Sequence, residues 1–250
     1  MIYNDQLGNK IEINSTPSRI VSLVPSITEL LFDLGLGDKV VGCTKFCIHP
    51  NKPYLTKNMI GGTKDLNLDK ILKLKPDLIL ANKEENNKEQ IENLSTSVPV
   101  WISDVKTFDD SLKMIGQIGL MTDSAFRAHE IINQLNHTLK TKAPYKKVVY
   151  LIWKDPYMTV GGDTYINDIL NRCGYLNVFS EQDRYPTVTL EEIANLNPDV
   201  ILLSSEPYPF KEEHLNTIQG FLKNIKVELV DGEFFSWYGS RQLHLATKNP

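Results

Sequence analysis

Short apolar runs of strand length alternate along this chain with stretches whose apolar residues recur every three or four positions. Ile20-Val21-Ser22-Leu23-Val24 is the first such run, and it suits a strand buried in a parallel sheet. Pro25 stops it. Ser26-Ile27-Thr28-Glu29 then has the S-x-x-E form of a capping box, predicting a helix with Ile27, Leu30, Leu31 and Leu34 on one face. Gly35 and Gly37 end that helix before a second strand at Lys39-Val40-Val41-Gly42. Asn67 is placed to cap a further helix striped by Leu68, Ile71, Leu72 and Leu74, which Pro76 forbids from continuing. Leu78 to Ala81 reads as a strand buried on both faces, and a helix near 86–94 and a strand at Val98–Ile102 follow.

From Thr107 to about Ala143 the strand signal disappears. Phe108, Leu112, Ile115, Ile118 and Leu120 mark one helical stripe. After Thr122-Asp123, Phe126, Ile131, Ile132, Leu135 and Leu139 mark another, predicting a helix and then a longer one that joins two lobes. The strand–helix alternation resumes with Val148–Trp153, a helix carrying Ile166, Ile169 and Leu170, and a second capping box at Thr189-Leu190-Glu191-Glu192. The strand Ile201–Ser204, a helix near 211–223, the strand Val227–Val230 and a short helix after Ser240 complete the reading. The opening segment MIYNDQLGNKIEI alternates around Leu-Gly-Asn as a β-hairpin does. Alternation of this kind specifies α/β lobes with mainly parallel, helix-covered sheets.

One phrase occurs twice. LDKILKLKPDLIL at 68–80 returns as LEEIANLNPDVIL at 190–202, with Leu68, Ile71, Leu74, Pro76, Asp77, Ile79 and Leu80 all repeated. A repeated helix–turn–strand unit implies two similarly built lobes. The division expected is an N-terminal lobe over 1–105 with its hairpin, a connecting helical segment over 106–143 and a C-terminal lobe over 144–250.

Composition narrows the function. The chain has 250 residues, 41% hydrophobic and 23% charged, with a net charge of −4 and no Lys/Arg block. That balance suits a globular protein and argues against a nucleic-acid partner. No run of 18 apolar residues is present to span a membrane. The N-terminus lacks the basic and apolar regions of a signal peptide, so the chain is expected either to be cytoplasmic or to begin after a removed leader. Its end at Pro250 reads as abrupt. Three cysteines exclude a full disulfide framework, and Cys43-x3-Cys47-x-His49 has three donors but not a zinc-finger spacing. No metal site is expected.

Enzyme motifs are scarce: no Walker A loop, G-x-S-x-G elbow or H-E-x-x-H occurs. No catalytic residue is assigned. Gly61-Gly62-Thr63 and Gly161-Gly162-Asp163-Thr164 suit either a phosphate cradle or tight turns. Asp69 and Glu191 occupy the second position of equivalent helices, where an acid offsets the helix dipole and also points outward toward a partner. Phe234-Phe235-Ser236-Trp237-Tyr238, with Arg241 nearby, places four aromatics in five residues, more than a loop is expected to bury. Such a segment suits a flat, conjugated or anionic ligand, or packing between lobes. Phe46, His49, Trp153 and Tyr157 follow predicted strands, where α/β sheets place ligands, and Tyr185 precedes the second capping box.

With these features in place the chain resembles the solute-binding proteins of ABC importers for cobalamin, iron-siderophores and haem. The resemblance rests on RIVSLVPSITELLFDLGLGDKVVG, NLDKILKLKPDLILA and TLEEIANLNPDVILLS in that order and extends over nearly the whole chain. It implies a class III periplasmic-binding-protein-like fold, two β/α lobes joined by a single long backbone helix, with the ligand in the cleft between lobes. It further implies that Asp69 and Glu191 dock to arginines on the two subunits of a membrane permease, Asp69 being shorter than the usual Glu. Phe46, His49, Trp153, Tyr185, Phe235, Trp237, Tyr238 and Arg241 are the ligand-lining positions it implies. Where cobalamin-binding members carry a stacking Trp before the first signature, this chain has Gly61-Gly62-Thr63-Lys64. The histidine cluster of zinc and manganese binders is missing, and Tyr238 and His49 are the residues available to haem iron.

The expected function is therefore that of a monomeric, non-enzymatic binding protein. It would capture a metal chelate and deliver it to an ABC permease at the periplasmic or cell-surface face. A cobalamin-like corrinoid is the first ligand expected, with ferric siderophore or haem next; no resident cofactor is expected. The rival is an intracellular enzyme or chaperone handling a tetrapyrrole or metal on the same fold, without a transporter.

Overall fold

A computed structural model describes residues 1–50 and 58–245; the end at Pro250 lies outside the described residues. Contacts group these residues into two units. Unit 1 holds Met1–Val105, Asp109–Leu135 and Tyr238–Arg241; unit 2 holds Lys106–Phe108, Asn136–Trp237 and the residues from Gln242 on. The helical segment 106–143 thus forms no unit of its own.

Unit 1 opens with the hairpin β1 (Ile2–Asn4) and β2 (Lys10–Glu12), antiparallel as expected. Asp5 folds the turn between them: its carboxylate accepts N–H groups of Leu7 and Asn9, at 2.9 and 2.7 Å. The strands β3 (Ile20–Ser22), β4 (Val40–Cys43), β5 (Leu78–Asn82) and β6 (Val100–Ser103) form a parallel sheet in the order β4-β3-β5-β6. Helices α1 (Pro25–Asp33), α2 (Leu68–Lys73) and α3 (Lys88–Ser95) accompany it. Val21, Ile71, Ile79, Ile91 and Leu94 meet in one buried cluster, joining strand and helix faces.

The capping box expected at Ser26–Glu29 does not form. Helix α1 starts at Pro25, whose missing N–H and fixed φ suit the first helical position, and Val24 caps it without a side-chain bond. Ser26 and Glu29 therefore lie inside the helix and both are buried. Leu72, expected in the buried stripe of α2, is 39% exposed, because this six-residue helix turns only Ile71 fully inward.

The two apolar stripes form two helices as expected, α4 (Phe108–Met121) and α5 (Ala125–Thr138), each of 14 residues. Asp123 breaks the path with a left-handed φ of 58°. A Cβ on Gly119 would collide with the Ala128 methyl, so the missing side chain lets the two helices touch. The second helix is accordingly no longer than the first.

Unit 2 repeats the sheet. Strands β7 (Lys146–Leu151), β8 (Tyr175–Asn177), β9 (Val200–Ser204) and β10 (Lys226–Val230) are parallel in the order β10-β9-β7-β8. Numbering each sheet from its own first strand gives the same order, 2-1-3-4. Helices α6 (Tyr165–Arg172), α7 (Leu190–Leu196), α8 (Glu212–Phe221) and α9 (Gly232–Ser236) are within it, and α10 (Arg241–Leu245) ends the described chain. Neither β8 nor α9 was expected; three- and five-residue elements carry too few positions for a period to show.

The repeated phrase has one structural job in both units. Asp77 accepts the N–H groups of Ser18 and Arg19 at 2.8 and 2.9 Å and returns its own N–H to the Arg19 carbonyl. Asp199 accepts the N–H of Lys147 at 2.6 Å and returns its own to the Lys147 carbonyl. Each aspartate ties the start of its strand to the start of the central strand beside it, setting Ile20 opposite Leu78 and Val148 opposite Val200. Among the described residues, no helix is long and apolar enough to cross a membrane.

Candidate functional site

Parallel strands place their C-terminal ends along one sheet edge, where the following loops carry side chains free of the core. In unit 1 that edge is formed by Ser22, Cys43, Asn82 and Ser103. Phe46 and His49 follow β4. The Phe46 ring is 49% exposed, lies under the Lys45 ammonium at 5.2 Å and rests close to Gly62. His49 is partly exposed. Exposure of a phenyl ring beside a cation suits an aromatic or anionic ligand face.

Behind Phe46 lies a cluster that sequence reasoning treated only as a weak metal motif. The Cys47 sulfur is 3.1 Å from the Thr28 hydroxyl and 3.3 Å from that of Thr44. The Cys43 thiol is hydrogen-bonded to it, and this bond pulls the Cys47 thiol down to about 7 against the opposing effect of burial. The same bond, with burial, pushes Cys43 far above the usual thiol range. Both cysteines and Cys173 are thiols. Among the described residues, no group of three or more His, Cys, Asp or Glu side chains is arranged to hold a metal ion.

The strand-end turn of β5 is built from amides. Asn82 accepts N–H groups of Glu84 and Glu85, while Asn86 bonds Asn82 and the carbonyls of Leu23 and Thr63. The Tyr238 phenol is buried in unit 1, and burial holds it well above its ordinary range, reinforced by the Glu85 carboxylate. Arg241 is buried too. Its guanidinium meets Glu29 at two points, Nε to Oε2 at 2.8 Å and Nη2 to Oε1. Its charge is thus already matched inside unit 1, which the expectation of a ligand-orienting arginine did not anticipate.

In unit 2, Trp153 follows β7, is 40% exposed and meets Tyr208 edge-on at 5.6 Å. Tyr208 itself is held by His214 at 3.0 Å. Tyr185 is partly exposed with the Arg184 guanidinium 5.3 Å over its ring. Trp237 is partly buried. The segment around it corrects one expectation. Phe234 and Phe235 belong to the short helix α9, whose Asp231 cap turns both rings inward, and Phe235 packs on Tyr150 at 5.2 Å. Tyr238 is buried as well, so of the four rings only Trp237 keeps part of its surface open, the first two being buried by a short helix rather than a loop.

Tyr150 was not singled out from sequence. Its phenol donates to Ser204 at 3.0 Å, and Ser204 and Ser236 both bond Glu206 beyond the end of β9. Burial pushes the Tyr150 phenol above its ordinary range. A buried tyrosine in an apolar strand gives no local sign of such a partner. The glycine pairs resolve as turns: the N–H groups of Gly161 and Gly162 already bond the carbonyls of Arg184 and Gln182, at 2.7 and 2.8 Å, and Gly62 bonds Asp65. They are not available to a phosphate.

Asp69 and Glu191 are both exposed, each the second residue of its helix. Asn67 caps α2 and Thr189 caps α7, the latter in a full capping box with Glu192. Neither acid is consumed by its own helix cap.

The family described as "Periplasmic binding protein" matches residues 20–227. An uncharacterised ABC transporter substrate-binding lipoprotein of Bacillus subtilis is 30% identical over 214 residues, covering 80% of this chain and 67% of that protein. A vitamin B12-binding protein of Pectobacterium carotovorum is 29% identical over 241 residues, covering 91% and 85%. Among solved structures, a possible iron-binding periplasmic solute-binding protein of Staphylococcus epidermidis superimposes with a TM-score of 0.77 at 26% identity, covering 93% of this chain and 96% of that one. A periplasmic haem-binding protein of Roseiflexus shares the fold, with a TM-score of 0.74 at 22% identity over 92% and 95% of the two chains.

Proposed function

Because this chain belongs to the periplasmic binding protein family, we propose that it captures a metal chelate and delivers it to the permease of an ABC importer. The observation that carries this reading is the family match over residues 20–227, joined by relatives named as substrate-binding and vitamin B12-binding proteins. Members of this family are binding proteins rather than enzymes, and no catalytic step is assigned to this chain. A cobalamin-like corrinoid is the first ligand, with ferric siderophore or haem next. Such ligands are large, partly flat and rimmed by polar groups. Exposed rings at strand ends suit them through water exclusion and stacking.

Phe46 and Trp153 are the two lining positions best supported, since each follows a strand and keeps a large part of its ring exposed. His49, Tyr185 and Trp237 are partly exposed and complete the proposed contact set. Phe235, Tyr238 and Arg241 are buried and serve that set as support within their own units: Phe235 packs on Tyr150 in unit 2, and Arg241 pairs with Glu29 in unit 1. The role of Asp69 and Glu191 is docking to basic groups on the permease, supported by their exposure and matched helix positions. The protein is taken to act as a monomer outside the cytoplasmic membrane, a location supported by the family description and by a relative named as a lipoprotein.

Titrating the purified protein with cyanocobalamin, haemin and a ferric hydroxamate, while following tryptophan fluorescence, tests the reading. Saturable quenching by one of them, weakened about tenfold or more by Phe46→Ala or Trp153→Ala, is the expected result. Absence of saturable binding to all three would refute the chelate assignment. Docking has a separate test: Asp69→Lys with Glu191→Lys should abolish permease association and leave chelate binding intact.

A further inference from the structure

We infer that Cys43 and Cys47 form a reversible thiol–disulfide couple, in which Cys47 is the attacking sulfur and Cys43 the resolving one. The two differ in the way such a couple needs. Cys43 is fixed in the sheet: it ends β4, sits opposite Ser22, and exchanges backbone bonds with Asn58 and Ile60. It is also closed off from solvent. Cys47 lies four residues on, where its N–H closes a turn onto the Thr44 carbonyl at 3.1 Å. Its side chain is partly exposed.

Three groups converge on the Cys47 sulfur: the Thr28 hydroxyl, the Thr44 hydroxyl and the Cys43 thiol. Thr28 is itself backed by Ser22, 2.8 Å away, and by the Val24 carbonyl at 3.0 Å. Rotating the Thr28 hydroxyl away from these two acceptors lets it donate toward Cys47, so the cluster can answer an anion at Cys47 without moving a heavy atom. Among the described residues no comparable set of hydroxyls surrounds Cys173, whose thiol is buried and pushed up to about 11. That cysteine serves as an internal control.

The chemistry balances with a small-molecule disulfide as oxidant. The Cys47 thiolate attacks one sulfur of the disulfide, forming a mixed disulfide and releasing one small thiolate, which takes up the proton Cys47 lost. Cys43 then gives up its proton and attacks the Cys47 sulfur, expelling the second small thiol. Two protein thiols lose two electrons and two protons, and the oxidant becomes two thiols. An added dithiol reverses the sequence.

The test uses the reduced full chain, oxidised glutathione at neutral pH, quenching with N-ethylmaleimide and peptide mapping by mass spectrometry. The wild type is expected to yield a Cys43–Cys47 disulfide, with Cys173 alkylated only after unfolding. Cys43→Ser should stall at a glutathione adduct on Cys47, formed about fivefold or more faster than on an unfolded cysteine peptide. Thr28→Val should slow that capture by about threefold, because one donor to the sulfur is gone. Wild-type protein that keeps both thiols, or that accumulates a lasting glutathione adduct without the internal disulfide, would overturn the couple. An adduct rate on Cys47 equal to that of the unfolded peptide would overturn its assignment as the attacking sulfur.

Discussion

Glu29 and Arg241 stand 212 positions apart in sequence and form a two-point ion pair whose side chains are 5% and 7% exposed. The pair anchors the Tyr238–Arg241 stretch within unit 1, although the flanking residues on both sides belong to unit 2. Removing one partner leaves the other charge buried and unmatched, which costs about 3–5 kcal/mol. Arg241→Ala and Glu29→Ala should each lower the unfolding free energy read from urea titration by that much. The double change to Met at both positions should recover most of the loss, since no charge then remains buried. A double variant as unstable as the singles would show that the pair is not what holds this segment.

The repeated aspartates make a matched prediction. Asp77 and Asp199 each accept backbone N–H groups at the start of the central strand of their sheets. A charged hydrogen bond of this kind contributes about 1.5–3 kcal/mol. Asp77→Ala and Asp199→Ala should both destabilise, Asp77 more, because it also takes the Ser18 hydroxyl. Hydrogen exchange should show the loss first at the amides of Arg19 and Lys147.

Close backbone approach predicts a second pair of weak points. A Cβ at Gly161 or Gly162 would run into the carbonyls of Gln182 or Ser180. Backbone cannot step aside as a flexible side chain does, so Gly162→Ala should cost about 2 kcal/mol or more. Gly220→Ala, at a helical position with open space around the missing methyl, should instead be neutral or slightly stabilising. Denaturant titration of the two variants checks the contrast.

Stability should fall on the alkaline side. Cys43, Cys173, Tyr150, Tyr175 and Tyr238 all have burial among the causes that raise them, so they keep their protons in the fold at pH values where the unfolded chain has released them. Above about pH 9 the unfolded state therefore gains an advantage for the thiols, and above about pH 10 for the phenols. Cys47 acts in the opposite sense: held near 7, it adds stability as pH rises from 7 toward 9. Under reducing conditions the urea midpoint should hold or rise slightly up to pH 9, then drop steeply by pH 11. A midpoint unchanged between pH 9 and 11 would contradict the burial of these groups.

Much of this architecture was legible before any coordinates. The doubled phrase anticipated two similarly built lobes, and the helix positions of Asp69 and Glu191 came directly from their caps. Both are local signals: a helix–turn–strand unit is encoded in a dozen adjacent residues, and its repetition needs no knowledge of what surrounds it. The capping box at Ser26–Glu29 misled because S-x-x-E is equally consistent with a helix that has already begun. Pro25 settled the start two residues earlier, and Glu29 then went to a partner more than two hundred positions away.

What the sequence by itself determined was the succession of strands and helices, the internal repeat, the lack of enzyme motifs and the exposed acids on α2 and α7. These follow from periodicity and from turn and cap chemistry, which act over a few residues. Only the tertiary structure decided which aromatics face out and which pack inward, as with Trp153 against Phe235. It alone matched Arg241 to Glu29 and gathered Thr28, Thr44 and Cys43 around the Cys47 sulfur. Burial and long-range electrostatics depend on what the folded chain brings together, and no pattern of neighbours along the sequence carries that information.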